Sequence, residues 1–149
     1  MSAVILTVPH GKHFVSTEKG ETLSTSPGIA NVRLPNGETA QVKRAFVTAT
    51  TNATTELLAA VADKLFRVLS VVMLGGGTAP TVTFKSASTA ISPAFTFAAN
   101  GGAVLPPNPW GWFQTNAINE ALNVTVSSSS DVGVIINYIE LTDDLYNLL

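Results

Sequence analysis

"TTELLAAVADKLFRVLSVVML", residues 54–74, is the stretch that decides the fold. Leu57, Leu58, Val61, Leu65 and Val68 recur near helical spacing, so a helix over 55–66 is one reading. The second half argues against it. Leu65–Leu74 is a near-continuous apolar run that holds three valines and ends at Gly75-Gly76-Gly77. An apolar run of this length closed by a turn signal fits a strand buried on both faces. The stretch therefore predicts a short strand over 55–61, a turn at Ala62-Asp63-Lys64, and a long central strand over 65–74.

The flanking sequence supports strands. "AQVKRAFVTAT", residues 40–50, is rich in β-branched residues. In "TVTFKS", Val82 and Phe84 share one face. Phe95 and Phe97 do the same in "AFTFA", and Leu122, Val124 and Val126 in "ALNVTVSSSS". The last strand, "DVGVIINYIEL", sets Val134, Ile136 and Tyr138 on one face. Ile135, Ile139 and Leu141 on the other predict burial on both sides. Turns are expected at 75–80, 86–93, 99–109, 114–121 and 127–131. About eight short strands at this spacing predict an all-β protein, an antiparallel, jelly-roll-like β-sandwich over residues 39–149. Residues 1–38 differ: after a possible strand at Ser2–Val8 come "PHGK", "EKGET", "TSPG" and "LPNGE", four turn signals with little apolar periodicity. They read as an extended N-terminal arm. The tail "TDDLYNLL" is amphipathic enough for one helical turn.

Composition narrows the function classes. The 149 residues suit one domain with an arm. Charged residues make up 12%, about half the usual quarter. Low charge with many Ser and Thr suits a surface covered by other subunits. A net charge of −2 gives no general attraction to nucleic acid or to an anionic membrane. The charge is uneven: residues 1–50 carry five basic and three acidic side chains, and residues 51–149 carry three and seven. There is no cysteine, so disulfides and thiolate metal sites are excluded. No stretch reaches the roughly 18 apolar residues of a membrane helix, and the N-terminal run lacks a signal peptide's basic region. A soluble product of cytosolic synthesis is expected.

Chemistry-bearing patterns are sparse. His10 and His13 are the only histidines, and their spacing lacks the glutamate and helix of a metalloprotease site. There is no G-x-S-x-G elbow, and "LGGGTAP" lacks the Lys-Ser/Thr of a phosphate loop. Asp63, Glu120, Asp131, Glu140, Asp143 and Asp144 are scattered over turns and the C-terminus. No enzyme activity and no cofactor are expected.

The aromatics remain. "PPNPWGWF", residues 106–113, holds both tryptophans. On an extended chain Trp110 and Trp112 point to one side and Phe113 to the other. Such a pair could close an open end of the sandwich, meet a partner protein, or stack on a sugar. A sugar site also needs polar side chains, for which Asn108, Gln114 and Asn116 are the only candidates nearby.

The order "KLFRVLSVVM", "TVTFKSASTAIS", "AANGGAVLPPNPWGWFQT" and "ALNVTVSSSSDVGVIINYIEL" resembles small all-β structural proteins of tailed bacteriophages. The resemblance covers residues 54–142. Its most specific pieces are Asn108–Phe113, read as N-P-x-G-W-F, and the closing Tyr138-Ile139-Glu140. It implies a virion component without enzymatic activity, most closely a capsid decoration or cement protein. Such a protein would sit as a homotrimer on the capsid surface and bind across neighbouring major capsid protein subunits. A carbohydrate- or receptor-binding module of a tail tip or fibre is the alternative. Trp112 and Phe113 fall in the motif core and are expected to hold the fold. Trp110 falls at its variable position and is expected to face a partner. The arm lies outside the pattern and supplies the other expected contacts: Val4, Leu6, His10, Lys12, His13, Phe14 and Arg33.

Overall fold

The computed structural model describes residues 5–8 and 12–15 as backbone, and residues 31–34, 37, 39–127 and 129–142 in full. Every regular element among them is a strand. In chain order these are β1 (Ile5–Val8), β2 (Lys12–Val15), β3 (Asn31–Arg33), β4 (Thr39–Gln41), β5 (Lys43–Ala49), β6 (Ala53–Leu58) and β7 (Lys64–Gly75). Then follow β8 (Thr81–Ser86), β9 (Thr89–Ala90), β10 (Phe95–Thr96), β11 (Gly102–Leu105), β12 (Phe113–Gln114), β13 (Leu122–Ser127) and β14 (Val132–Thr142). All ladders between strands are antiparallel.

The protein is an all-β antiparallel sandwich, as its alternating runs require. One sheet runs β11–β7–β14–β5, with β12 also paired to β7. The other runs β10–β8–β13, with β9 paired to β8. β6 lies beside β13, where the Thr54 and Thr125 hydroxyls are 2.9 Å apart. Between the sheets pack Phe66, Val68, Val71, Met73, Val82, Phe84, Leu122, Val124, Val126, Val134 and Ile136, all essentially buried. Each large side chain buried this way contributes about 1.5–3 kcal/mol.

The deciding stretch is strand, turn and long strand, as predicted. Asp63 takes a left-handed φ of 57° in the turn, and Asn119 Oδ1 accepts its N–H at 2.8 Å. The bounds differ slightly: β6 starts at Ala53 and ends at Leu58. A larger difference is a bulge in β7. Asn137 faces Ser70 and Tyr138 faces Val68, so Leu69 is the extra residue. The bulge resets the alternation. Phe66 and Val68 point into the sandwich before it, and Val71 and Met73 after it. Leu65 and Leu69 face outward and form a second cluster with Leu34, Ala40, Ile139 and Leu141. That cluster is roofed by the β3–β4 hairpin, in which Val32 faces Ala40. Leu34 is 5% exposed, and the boundary read at residue 38 falls inside this hairpin.

Other readings are corrected. The span 99–109 was expected to be turn but contains β11, which extends the first sheet through Val104 and Val72. Likewise β9 and β12 occupy parts of the expected turns 86–93 and 114–121. Ile139 and Leu141 are buried as predicted, whereas Ile135 is exposed. The expected helical turn at 143–149 lies outside the described residues.

The crossovers between sheets are pinned at one end by Asp131. Its Oδ1 accepts both the N–H and the hydroxyl of Thr51, each at 2.9 Å. The backbone hydrogen bond, and then the hydroxyl, hold its carboxyl below the usual carboxylate range. A depressed folded-state pKa stabilises above the unfolded value, near pH 4, and that contribution is lost as pH falls through the folded value. Asp131→Asn should therefore flatten the fall in stability on the acid side of about pH 4. Urea midpoints collected from pH 2 to 6 check this, and parallel curves for the two proteins would contradict it.

Candidate functional site

The edge of the first sheet carries the tryptophans. β11 pairs with Val71–Leu74 and β12 with Arg67–Val68. Between them the chain leaves the edge opposite the Leu69 bulge, and residues 106–112 form the excursion. Pro106, Pro107 and Pro109 have no N–H, so the loop presents four backbone donors. All four are used. Asn108 N donates to Leu69 O at 2.9 Å, and Trp112 N to Val68 O at 2.8 Å. Trp110 N donates to Asn108 Oδ1 at 3.1 Å, and Gly111 N to Asn108 O at 2.9 Å. Asn108 Nδ2 donates to Gly111 O at 3.1 Å, so this one amide spans the turn twice. Three fixed proline φ angles and four bonded backbone donors leave the loop little freedom.

The aromatics then take three different roles. Phe113 packs inward on Phe84, ring centroids 4.8 Å apart, and holds the fold as expected. Trp112 does not. It is 44% exposed, and its Nε1 donates to Pro106 O at 2.7 Å, tying the end of the loop to its start. The core role expected for it is corrected to a clasp within the loop. The same-side argument presumed an extended chain, but Gly111 turns at a φ of 82°. Trp110 stands out at 74% exposure. The loop therefore acts as a rigid mount for one large, solvent-facing indole.

Beneath the mount lies Arg67, on the outer face of β7 between Leu65 and Leu69. It is 6% exposed, and burial lowers its guanidinium pKa below the usual arginine range. Its Nε and Nη2 donate to Gln114 Oε1 at 3.0 and 2.7 Å. The stem of this side chain is the floor on which Gly111 rests. Beside the loop is an apolar groove of about 280 Å³, lined by Val32, Val42, Leu69, Pro107 and Pro109. A larger and more polar hollow of about 410 Å³ lies by Leu34, Lys64 and Thr142, where Lys43 Nζ meets Glu140 at 2.8 Å.

Three of the carboxylates noted in the sequence are engaged separately: Asp131 with Thr51, Glu120 with the buried Ser86 hydroxyl, and Glu140 with Lys43; Asp143 and Asp144 lie outside the described residues. Among the expected contact residues, Arg33 is exposed on β3, next to Val32 of the groove. Leu6, Lys12, His13 and Phe14 lie on the β1–β2 hairpin, whose side chains are outside the described residues, as are Val4 and His10. The groove was not anticipated, because Val32 looks like an isolated apolar residue in the arm and Val42 stands beyond the boundary read at residue 38.

Fold and site together define an antiparallel β-sandwich with a hydrogen-bonded, tryptophan-bearing loop on one sheet edge. No family model matches the sequence, and no curated protein is similar to it.

Proposed function

We propose that the protein is a non-enzymatic structural component of a tailed-bacteriophage virion. In this reading it is a decoration or cement protein that sits on the head as a homotrimer and binds across neighbouring major capsid protein subunits. The observation that carries a contact role is Trp110, held out by a loop whose backbone donors are all satisfied. Tryptophan is among the residue types most enriched at interface hot spots, and a side chain fixed before binding loses less entropy on contact. The sequence patterns that resemble phage structural proteins lie on the same loop and on β14. Low surface charge also favours extensive contact with other subunits.

The carbohydrate reading has less support. Of its three polar candidates, Asn108 is spent on its own loop and Gln114 accepts from Arg67. Asn116 stands alone, though its backbone N–H is held by Ser86 Oγ at 2.8 Å.

The test is co-sedimentation of the purified protein with phage heads that lack it. Wild type should bind at many copies per head. Trp110→Ala should keep its stability within about 0.5 kcal/mol, as exposed positions do. Its affinity for heads should fall at least about 30-fold, the loss of a hot spot. Equal binding by both proteins would overturn the contact role of Trp110. Failure of wild type to bind heads, with glycan binding that Trp110→Ala abolishes, would favour the tail-tip alternative.

A further inference from the structure

The outer face of the first sheet is roofed over only part of its length. The β3–β4 hairpin covers Leu65, Leu69, Ile139 and Leu141. Past the bulge the face is bare among the described residues. By register, Val104, Val72, Ile135 and Phe46 form one row across β11, β7, β14 and β5. Leu74 stands in the next row, between Gly102 and Gly133. Phe46 is 79% exposed, Val104 64%, Leu74 62% and Ile135 42%. An apolar row spanning four strands, with an unpacked phenylalanine at one end, marks a surface that something covers.

We propose that the bare half is the seat of this chain's own N-terminal hairpin, β1–β2, docked within the same molecule. The first support is what the hairpin lacks. Two strands of four residues are marginal by themselves in water and need a second layer. The segment is apolar enough to supply one, with Ile5, Leu6, Val8, Phe14 and Val15, and its register pairs Leu6 with Phe14 and Ile5 with Val15.

The second support is where the chain enters the sandwich. Asn31 lines the groove together with Ser70 and Asn137, at the border between the roofed and bare halves. Val72 and Ile135 lie two residues beyond Ser70 and Asn137, about 7 Å further along. Residues 16–30 can span up to about 50 Å, so the hairpin reaches the bare rows without strain. A tether of this length also gives the hairpin a high effective concentration at its own face, which favours it over a second copy.

The same face already shows the mode of cover, since β3–β4 is itself a short hairpin laid over its other half.

The test uses the full chain and does not depend on the virion reading. The sequence has no cysteine, so Gly11→Cys, between β1 and β2, gives a single site for a nitroxide label. Amide resonances of Val72, Leu74, Val104 and Ile135 should lose intensity several-fold, while those of β8 and β13 on the opposite sheet keep theirs. A mixture of nitroxide-labelled chain with isotope-labelled, nitroxide-free chain should show no loss. Loss in the mixture as well would assign the face to a second copy and overturn the proposal, as would no loss in either sample. As a second measurement, Phe46→Asp should lower hydrogen-exchange protection of β1–β2 at least tenfold and leave β7 and β14 unchanged. Unchanged protection of the hairpin would also overturn it.

Discussion

Phe84→Ala is expected to remove about 3–5 kcal/mol of folding stability, the usual cost of deleting a fully buried phenylalanine ring. The site has little room to collapse. Phe84 is 0% exposed on β8, and its ring meets Phe113 at 4.8 Å and Phe95 at 6.4 Å. Its backbone N–H is held by Ser92 Oγ at 2.9 Å, so the strand cannot shift inward to fill the space. A domain of this size has about 5–15 kcal/mol in total, so the variant should be marginal. The urea midpoint should fall steeply with an unchanged m-value, whereas Phe84→Leu should cost much less. Because Phe113 anchors the aromatic loop to the core, the variant should also bind heads more weakly than its folded fraction alone predicts. A loss under about 1 kcal/mol would mean that Phe84 is not the bridge between the sheets that its contacts make it.

The residues that made the sandwich legible are those with an unambiguous period. Val82 and Phe84, then Leu122, Val124 and Val126, alternate with Thr, Asn and Ser, and all five are fully buried. β7 was legible as a strand but not in phase. Leu65–Leu74 is apolar on both faces, so nothing in the sequence shows that Leu69 is an extra residue and that the inward set changes from Phe66 and Val68 to Val71 and Met73. The roof was hidden for a different reason. Val32, Leu34, Ala40 and Val42 flank the turn "PNGE" and look sparse until β7 and β14 present an apolar outer face for them. Ile135 shows the converse: its place in an apolar strand implied burial, but the roof stops short of it.

The aromatic loop divides along the same line. That the loop is a distinct aromatic feature was readable from two tryptophans beside prolines. The split between them was not, because it depends on which carbonyl each N–H reaches. Trp112 became a clasp through Pro106 O, and Trp110 was left facing solvent. Opposite the bulge, Val68 O and Leu69 O accept from the loop instead of from a continuous edge strand. A backbone irregularity in the central strand thus determines where the exposed indole of Trp110 stands.

Gly111→Ala should dismantle that arrangement without touching Trp110. Two costs add. A non-glycine residue at a φ of 82° loses about 1–2 kcal/mol. A methyl group there would also lie 2.5 Å from Arg67 Cγ and 2.7 Å from its Cδ. Those atoms cannot yield easily, because the Arg67 guanidinium is buried and bonded to Gln114; overpacking of this kind costs about 1–3 kcal/mol. The loop has a cheaper escape, which is to lift off the edge and give up its bonds to Val68 O and Leu69 O. Global stability should therefore drop by about 1–3 kcal/mol, less than the full sum. Hydrogen exchange at Asn108 and Trp112 should rise far more than at β14. Head binding should fall as much as in Trp110→Ala, though the indole is still present. Arg67→Ala in the same chain removes the clash but not the φ penalty. The double variant should therefore be at least about 1 kcal/mol more stable than the two single losses predict. Simple additivity would show that Gly111 is required for its φ alone and that the Arg67 stem is not the floor of the loop.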